Sequence, residues 1–159
     1  METNGAVLTK SSKVFDGMFE DEEYRNRSIS TRIKYFMKKE KLSQPKLGAA
    51  IGCSRDTIFS YANAKIPEAH MNIQLLKKMA LYFGVEEYYF CNEYHRFVDT
   101  TNVCEYLKRI RKKNGMTQRQ FVEILNVSLS SYKCYEVGKM KISEETYHKV
   151  KKIEHTLGL

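Results

Sequence analysis

Tryptophan is absent from this sequence, and proline occurs only twice and glycine eight times in 159 residues. So few turn formers exclude an all-β design, whose hairpins need Gly and Pro at fixed places, and the abundant Lys, Glu, Leu and Met favour helix. No apolar run approaches the roughly 18 residues of a membrane span, and no signal peptide is recognisable. The four cysteines (Cys53, Cys91, Cys104, Cys134) form no CxxC pair. Reduced thiols in the cytoplasm are the simplest account. Cys91, His95 and Cys104 lack a fourth ligand at zinc-site spacing, so no metal site is expected. The four histidines (His70, His95, His148, His155) have no acid or nucleophile at motif spacing, and no Gly-rich phosphate loop exists. No catalytic residue, cofactor or enzyme activity is expected.

What the chain has is positive charge, unevenly placed. The formal net charge is +8, with a pI near 9.2. Residues 1–24 hold Lys10 and Lys13 against Glu2, Asp16, Glu20, Asp21, Glu22 and Glu23, which leaves +12 on the rest. An excess of that size suits a phosphate polyanion, whose condensed counterions the cations displace. A solvated basic face is the plainer reading of charge alone.

The chain also repeats itself, with an offset of 74 residues. Lys34, Lys38, Lys39, Gln44, Ser54, Tyr61, Lys65, Lys77, Lys78 and Gly84 all meet identical residues at that offset. Each copy reads as short helices. Ile33, Phe36 and Met37 share one face, as do Val103, Leu107 and Ile110. Ser43 and Thr117 are expected N-caps, and Pro45 is harmless in a first turn. Leu47, Ala50 and Ile51 make the next apolar face. Gly52 and Asn126 stand at a tight turn that favours positive φ. Ser54 and Ser128 cap a third helix ending near Asn63 and Gly138. A longer helix follows, with Ile73, Leu76, Met79, Ala80 and Phe83 on one face and Tyr147, Val150, Ile153 and Leu157 in the copy; Gly84 and Gly158 close it. Two generic bundles would explain the apolar stripes. They would not explain a repeated cap, Gln, eight-residue helix, Gly/Asn turn and second cap, which is the helix-turn-helix pattern.

Leu42-Ser43-Gln44-Pro45-Lys46-Leu47-Gly48 with Ser54 through Pro67, and Met116-Thr117-Gln118-Arg119-Gln120-Phe121 with Ser128 through Gly138, resemble the lambda-repressor/Cro-like (XRE) family of helix-turn-helix domains. Tyr135-Glu136-Val137-Gly138 looks like the aromatic-Glu-x-Gly sequence that follows the family's recognition helix. The first copy departs there, with Ala62 and Ala64 for the Glu and Gly. The resemblance implies an all-α fold of two tandem lambda-repressor-like bundles of four to five short helices each. The expected layout is an acidic, mobile tail over 1–27, a first domain over 28–90, a linker over 91–101 and a second domain over 102–159. A short amphipathic helix packed on the first domain is the alternative for the tail. Val85 to Phe90 are expected to complete the first domain's core, and Asn102 to cap the second's first helix. An extended 91–101 linker would reach roughly 30 Å, against about 34 Å for a turn of DNA.

The same resemblance implies double-stranded DNA as partner, with recognition helices over 54–63 and 128–137 in successive major grooves. Gln44 and Gln118 match the Gln that holds a phosphate and braces the recognition helix. Lys46, Asn63, Lys65, Arg119 and Lys139 are the other expected phosphate contacts. Base readers in the first copy are Arg55, Asp56, Thr57 and Ser60: Arg55 suits guanine, while Asp56 accepts from cytosine or holds Arg55 in place. In the second copy they are Leu129, Ser130, Ser131 and Lys133. Leucine cannot donate to a base edge but can pack on a thymine methyl, so the halves are expected to be unequal. Either the second reads loosely or it serves dimer contacts. The implied function is a bacterial or phage-type transcriptional regulator, cytoplasmic and nucleoid-associated, with no membrane association. The competing class is a protein-binding anti-regulator or antitoxin-like partner, acting through the tail or the second domain.

Overall fold

A computed structural model describes residues 21–156, which divide into two compact units at Asn92/Glu93. The described residues are all helical, without strands. The first unit contains α1 (Ile29–Lys39), α2 (Gln44–Ile51), α3 (Arg55–Ala62), a short 3-10 turn (Glu68–His70) and α4 (Ile73–Phe83). The second contains α5 (Glu93–Thr100), α6 (Val103–Lys113), α7 (Gln118–Leu125), α8 (Leu129–Glu136) and α9 (Glu144–Thr156). None of these helices is long and apolar enough to cross a membrane. The four cysteines are free, and no group of three or more His, Cys, Asp or Glu among the described residues is placed to hold a metal ion.

The first unit's core is drawn from every helix: Ile29, Ile33 and Phe36 of α1, Leu47 and Ile51 of α2, Ile58 and Tyr61 of α3, and Leu76, Met79 and Ala80 of α4. Tyr89 and Phe90 close it, as the sequence predicts, with edge-to-face contacts from both rings to Phe36. The buried Arg32 guanidinium donates to the Tyr89 and Cys91 carbonyls, tying this segment to α1. Ala50, expected on the apolar face of α2, is exposed; Gly48 takes the buried place. A Cβ there would lie 2.7 Å from the Cys53 carbonyl oxygen, so only glycine lets the turn close this tightly.

In the second unit, Leu107, Ile110, Phe121, Leu125, Tyr132, Ile142, Tyr147 and Val150 form the core. Ile153 of the predicted stripe is half-buried, and Leu157 and Gly158 lie outside the described residues. The linker expected over 91–101 is corrected here. Residues 93–100 are α5, part of the second unit: Tyr94 donates its hydroxyl to the Ile142 carbonyl at 2.7 Å, and Phe97 packs on Tyr106 and Tyr147. Paired aromatics on an amphipathic turn are buried more cheaply than they are left in water. The extended reach attributed to this segment does not apply. Asn102 caps α6 as expected, accepting from the Glu105 amide.

The tail is corrected in part. Residues 1–20 lie outside the described residues. Residues 21–24 are helical and packed: Tyr24 stacks on Tyr35, and the Asp21 carboxylate accepts from Tyr35 at 3.0 Å and Lys39 at 2.5 Å.

The 74-residue repeat reappears in the backbone. Positive φ occurs at Lys41 and Gly115, at Gly52 and Asn126, and at Ala64 and Gly138. Each pair shares the offset. Ser54 and Ser128 both accept from the amide three residues on, and Lys65 and Lys139 amides both donate back to the helix before them. One expected cap differs: Thr117 forms a reciprocal capping box with Gln120, whereas the Ser43 side chain makes no capping bond. Its third following residue is Lys46, which cannot return the bond as Gln120 does.

Ala64 holds its left-handed conformation, φ 50°, against a steric cost of about 1–2 kcal/mol for an L-residue. Ala64→Gly should therefore stabilise the first unit by about 0.5–1 kcal/mol after the glycine's unfolded-state entropy is counted, read as a raised denaturation midpoint. An unchanged or lowered midpoint would refute the strain.

Candidate nucleic-acid interface

The third helix of each unit presents one face to its core and one outward. In α3, Ile58, Tyr61 and Ala62 are buried, while Arg55 and Asp56 are exposed and Thr57, Ser60 and Asn63 are half-buried. The Arg55 guanidinium lies 3.9 Å from the Asp56 carboxylate, a loose and solvated pair that leaves Arg55 free to swing to another acceptor. The Thr57 hydroxyl is engaged with the Ser54 cap at 3.0 Å. Asn63 donates its side-chain amide to the Phe59 carbonyl at 2.9 Å and so finishes the helix. Lys46 and Lys65 are exposed.

In α8, Tyr132, Tyr135 and Glu136 are buried, Ser130 and Lys133 exposed, and Leu129 half-buried. Ser131 accepts from the Ser128 hydroxyl at 2.8 Å, so its hydroxyl is partly committed to the cap, like that of Thr57. Arg119 and Lys139 are exposed. Outward groups on both third helices are therefore Arg55, Asp56 and Ser60 on one, and Leu129, Ser130 and Lys133 on the other. Phe59, 41% exposed on α3, was missed as a candidate; its counterpart at the 74-residue offset is Lys133.

Behind α8 stands a four-membered polar network. The Glu136 carboxylate accepts from Arg111 Nε at 2.8 Å, from Tyr132 at 2.7 Å and from Gln118 Nε2 at 2.6 Å. Arg111 also donates to the Met116 carbonyl at 3.1 Å. Gln118, at the first position of α7, is thus bonded directly to the last residue of α8. Burial opposes ionisation of Glu136, but the hydrogen bonds from Tyr132, Arg111 and Gln118 outweigh it and hold its carboxyl below the usual carboxylate range. The hydrogen bond to Glu136 raises Arg111, and burial followed by the bond to Glu136 raises the Tyr132 phenol.

Residues 105–159 match the family model of a helix-turn-helix domain. The match takes in α7, the turn at Asn126 and α8, together with α9 and most of α6. Over these residues the second unit is similar to a helix-turn-helix domain. No curated protein and no solved structure matches the chain.

The first unit replaces the network. Met37, Ile58 and Ala62 stand at the offsets of Arg111, Tyr132 and Glu136, and only the glutamine is kept, as Gln44. Among the described residues the Gln44 amide has no hydrogen bond, so it is available to an outside acceptor. The aromatic-Glu-x-Gly sequence pointed to Glu136, but nothing in the spacing pointed to Arg111, which lies 25 residues before it.

Because the folded Glu136 has a depressed pKa, the stability it contributes is present above its unfolded value of about 4.3 and is lost as pH falls through the folded value. The second unit should thus weaken below about pH 4. Glu136→Gln, which leaves Arg111 without its charge partner, should cost on the order of 3 kcal/mol at neutral pH and flatten this acid limb of the melting curve. A variant as stable and as acid-sensitive as the parent would refute the assignment.

Proposed function

We propose that the chain is a sequence-specific, double-stranded DNA-binding transcriptional regulator of bacterial or phage type, of the lambda-repressor-like kind, in which both units are helix-turn-helix modules. It is not an enzyme in this reading and needs no cofactor. The observation that carries it is the coincidence, at one 74-residue offset, of left-handed residues, serine caps and outward polar faces on α3 and α8, in a chain whose second copy matches a helix-turn-helix domain. Each third helix enters a major groove and the preceding helix crosses the backbone.

Arg55 takes guanine O6 and N7 and Asp56 steadies it or accepts from cytosine, with Ser60 beside them. Thr57 and Ser131, bound into their caps, contribute through shape more than through donation. Gln44, Lys46, Lys65, Arg119 and Lys139 hold phosphate and set register without reading sequence; Asn63 and Gln118, each already donating within the fold, have only their second amide hydrogen to offer a phosphate. Leu129, Ser130 and Lys133 make the second unit the looser reader.

Exposed Val137 and Met140 immediately after α8 favour a second reading for that unit alone, as an assembly or protein-contact surface. Salt dependence separates the two. Phosphate contacts by both units give a log–log slope of about −0.9 per contact, and substituting Lys133 and Lys139 shallows it only if the second unit lies on DNA.

Arg55→Ala should lose about 1–3 kcal/mol on DNA selected from a random pool and much less on unselected DNA. Equal losses on both, measured by titration at fixed salt, would remove Arg55 from base reading.

A further inference from the structure

The exposed faces of α3 and α8 carry the same two chemistries in opposite order. On α3 a cation, Arg55, stands in the first turn and an apolar side chain, Phe59, one turn later. On α8 the half-buried apolar side chain of Leu129 comes first and the exposed cation, Lys133, one turn later. Residues four apart lie on one face of a helix, so each pair forms a single outward stripe. The positions correspond, because 55 and 129, like 59 and 133, are separated by the repeat offset.

Phe59 is not part of its own unit's buried core. It lies outside the buried cluster that Ile58, Tyr61 and Ala62 join on the other side of α3. A large apolar ring on the outer face of a helix costs solubility, and it stands between Arg55 and Asn63 on the face the preceding section gives to DNA. In the major groove the apolar feature is the C5-methyl group of thymine, against which phenylalanine and leucine pack and to which a lysine or arginine has nothing to offer.

We propose that Phe59 is a specificity-determining residue that packs on a thymine methyl, and that the two units therefore read a cation-contacted base and a methyl-contacted base in opposite order along their helices. This rests on the DNA-binding reading above. It predicts that the two half-sites are not simple copies of one another, although the two units are copies in fold.

The test uses the full chain and the duplex it selects from random DNA. Each thymine in the half-site that depends on Arg55 is replaced in turn by deoxyuridine, which removes the methyl group and leaves every hydrogen-bonding atom. Burying one methyl-sized group contributes about 0.8 kcal/mol, so one position should weaken binding about three- to fivefold. Phe59→Ala should abolish that sensitivity while leaving the dependence on guanine intact, and Phe59→Leu should keep part of it. Because Phe59 lies outside the buried cluster, both variants are expected to fold, and their melting curves check that they do.

Binding that is indifferent to every deoxyuridine, or Phe59→Ala that stays as methyl-sensitive as the parent, overturns the proposal and leaves the DNA-binding reading standing. A change of oligomeric state in Phe59→Ala with methyl sensitivity retained also overturns it, in favour of an assembly contact. Failure of the full chain to enrich any DNA overturns both.

Discussion

Short helices can pack into a bundle only if the chain reverses direction within the segments that join them. Here that reversal is made by residues in the left-handed region, at 41, 52 and 64 in the first unit and at 115, 126 and 138 in the second. At each such residue the amide turns back onto the preceding helix or lets the next one do so, as Cys53 does to Gly48 and Val127 to Val122. Orphan carbonyls are thereby satisfied, and the following serine is free to cap the next helix. The angle between the second and third helices, and so the direction in which Arg55 or Lys133 points, follows from this turn.

On that common backbone the units stabilise their third helices by different means. The first packs Met37, Ile58 and Ala62 where the second builds a network on Glu136. The apolar version is insensitive to acid at this position and releases Gln44. The polar version commits Gln118 to α8 and makes the second unit's stability depend on an ionised carboxylate. Apolar and ionic solutions of similar volume are often close in energy, which is why one fold tolerates both.

The turns and caps were legible in the sequence because they act locally: Ser54, Ser128, Gly52 and Asn126 do in the structure what their chemistry suggests. What was not legible depends on partners distant in the chain. Glu93–Thr100 reads as a connector until Ile142 and Tyr147 supply something for Tyr94 and Phe97 to pack against. Asp21 and Tyr24 read as tail until Tyr35 and Lys39 come beside them. The candidate site was legible as a face, with Arg55, Ser130 and Lys133 on the outer side of their helices. The engagement of Thr57 and Ser131 with their caps, and the exposure of Phe59, depend on how each helix is set against its unit. Ser43 shows the converse, since a residue of the right type in the right place makes no capping bond.

The Glu136 network also constrains how these units could have diverged. Arg111, Gln118, Tyr132 and Glu136 are useful only together. Replacing the glutamate alone strands a guanidinium, and replacing the arginine alone strands a buried carboxylate. The apolar arrangement is likewise spoiled by any single charged newcomer. A change from one arrangement to the other, one residue at a time, would pass through less stable intermediates. Homogenisation of one unit by fragments of the other would be selected against unless all the partnered positions moved at once. The arrangement acts as a lock on sequence drift, keeping the two units distinct while the backbone they share stays the same.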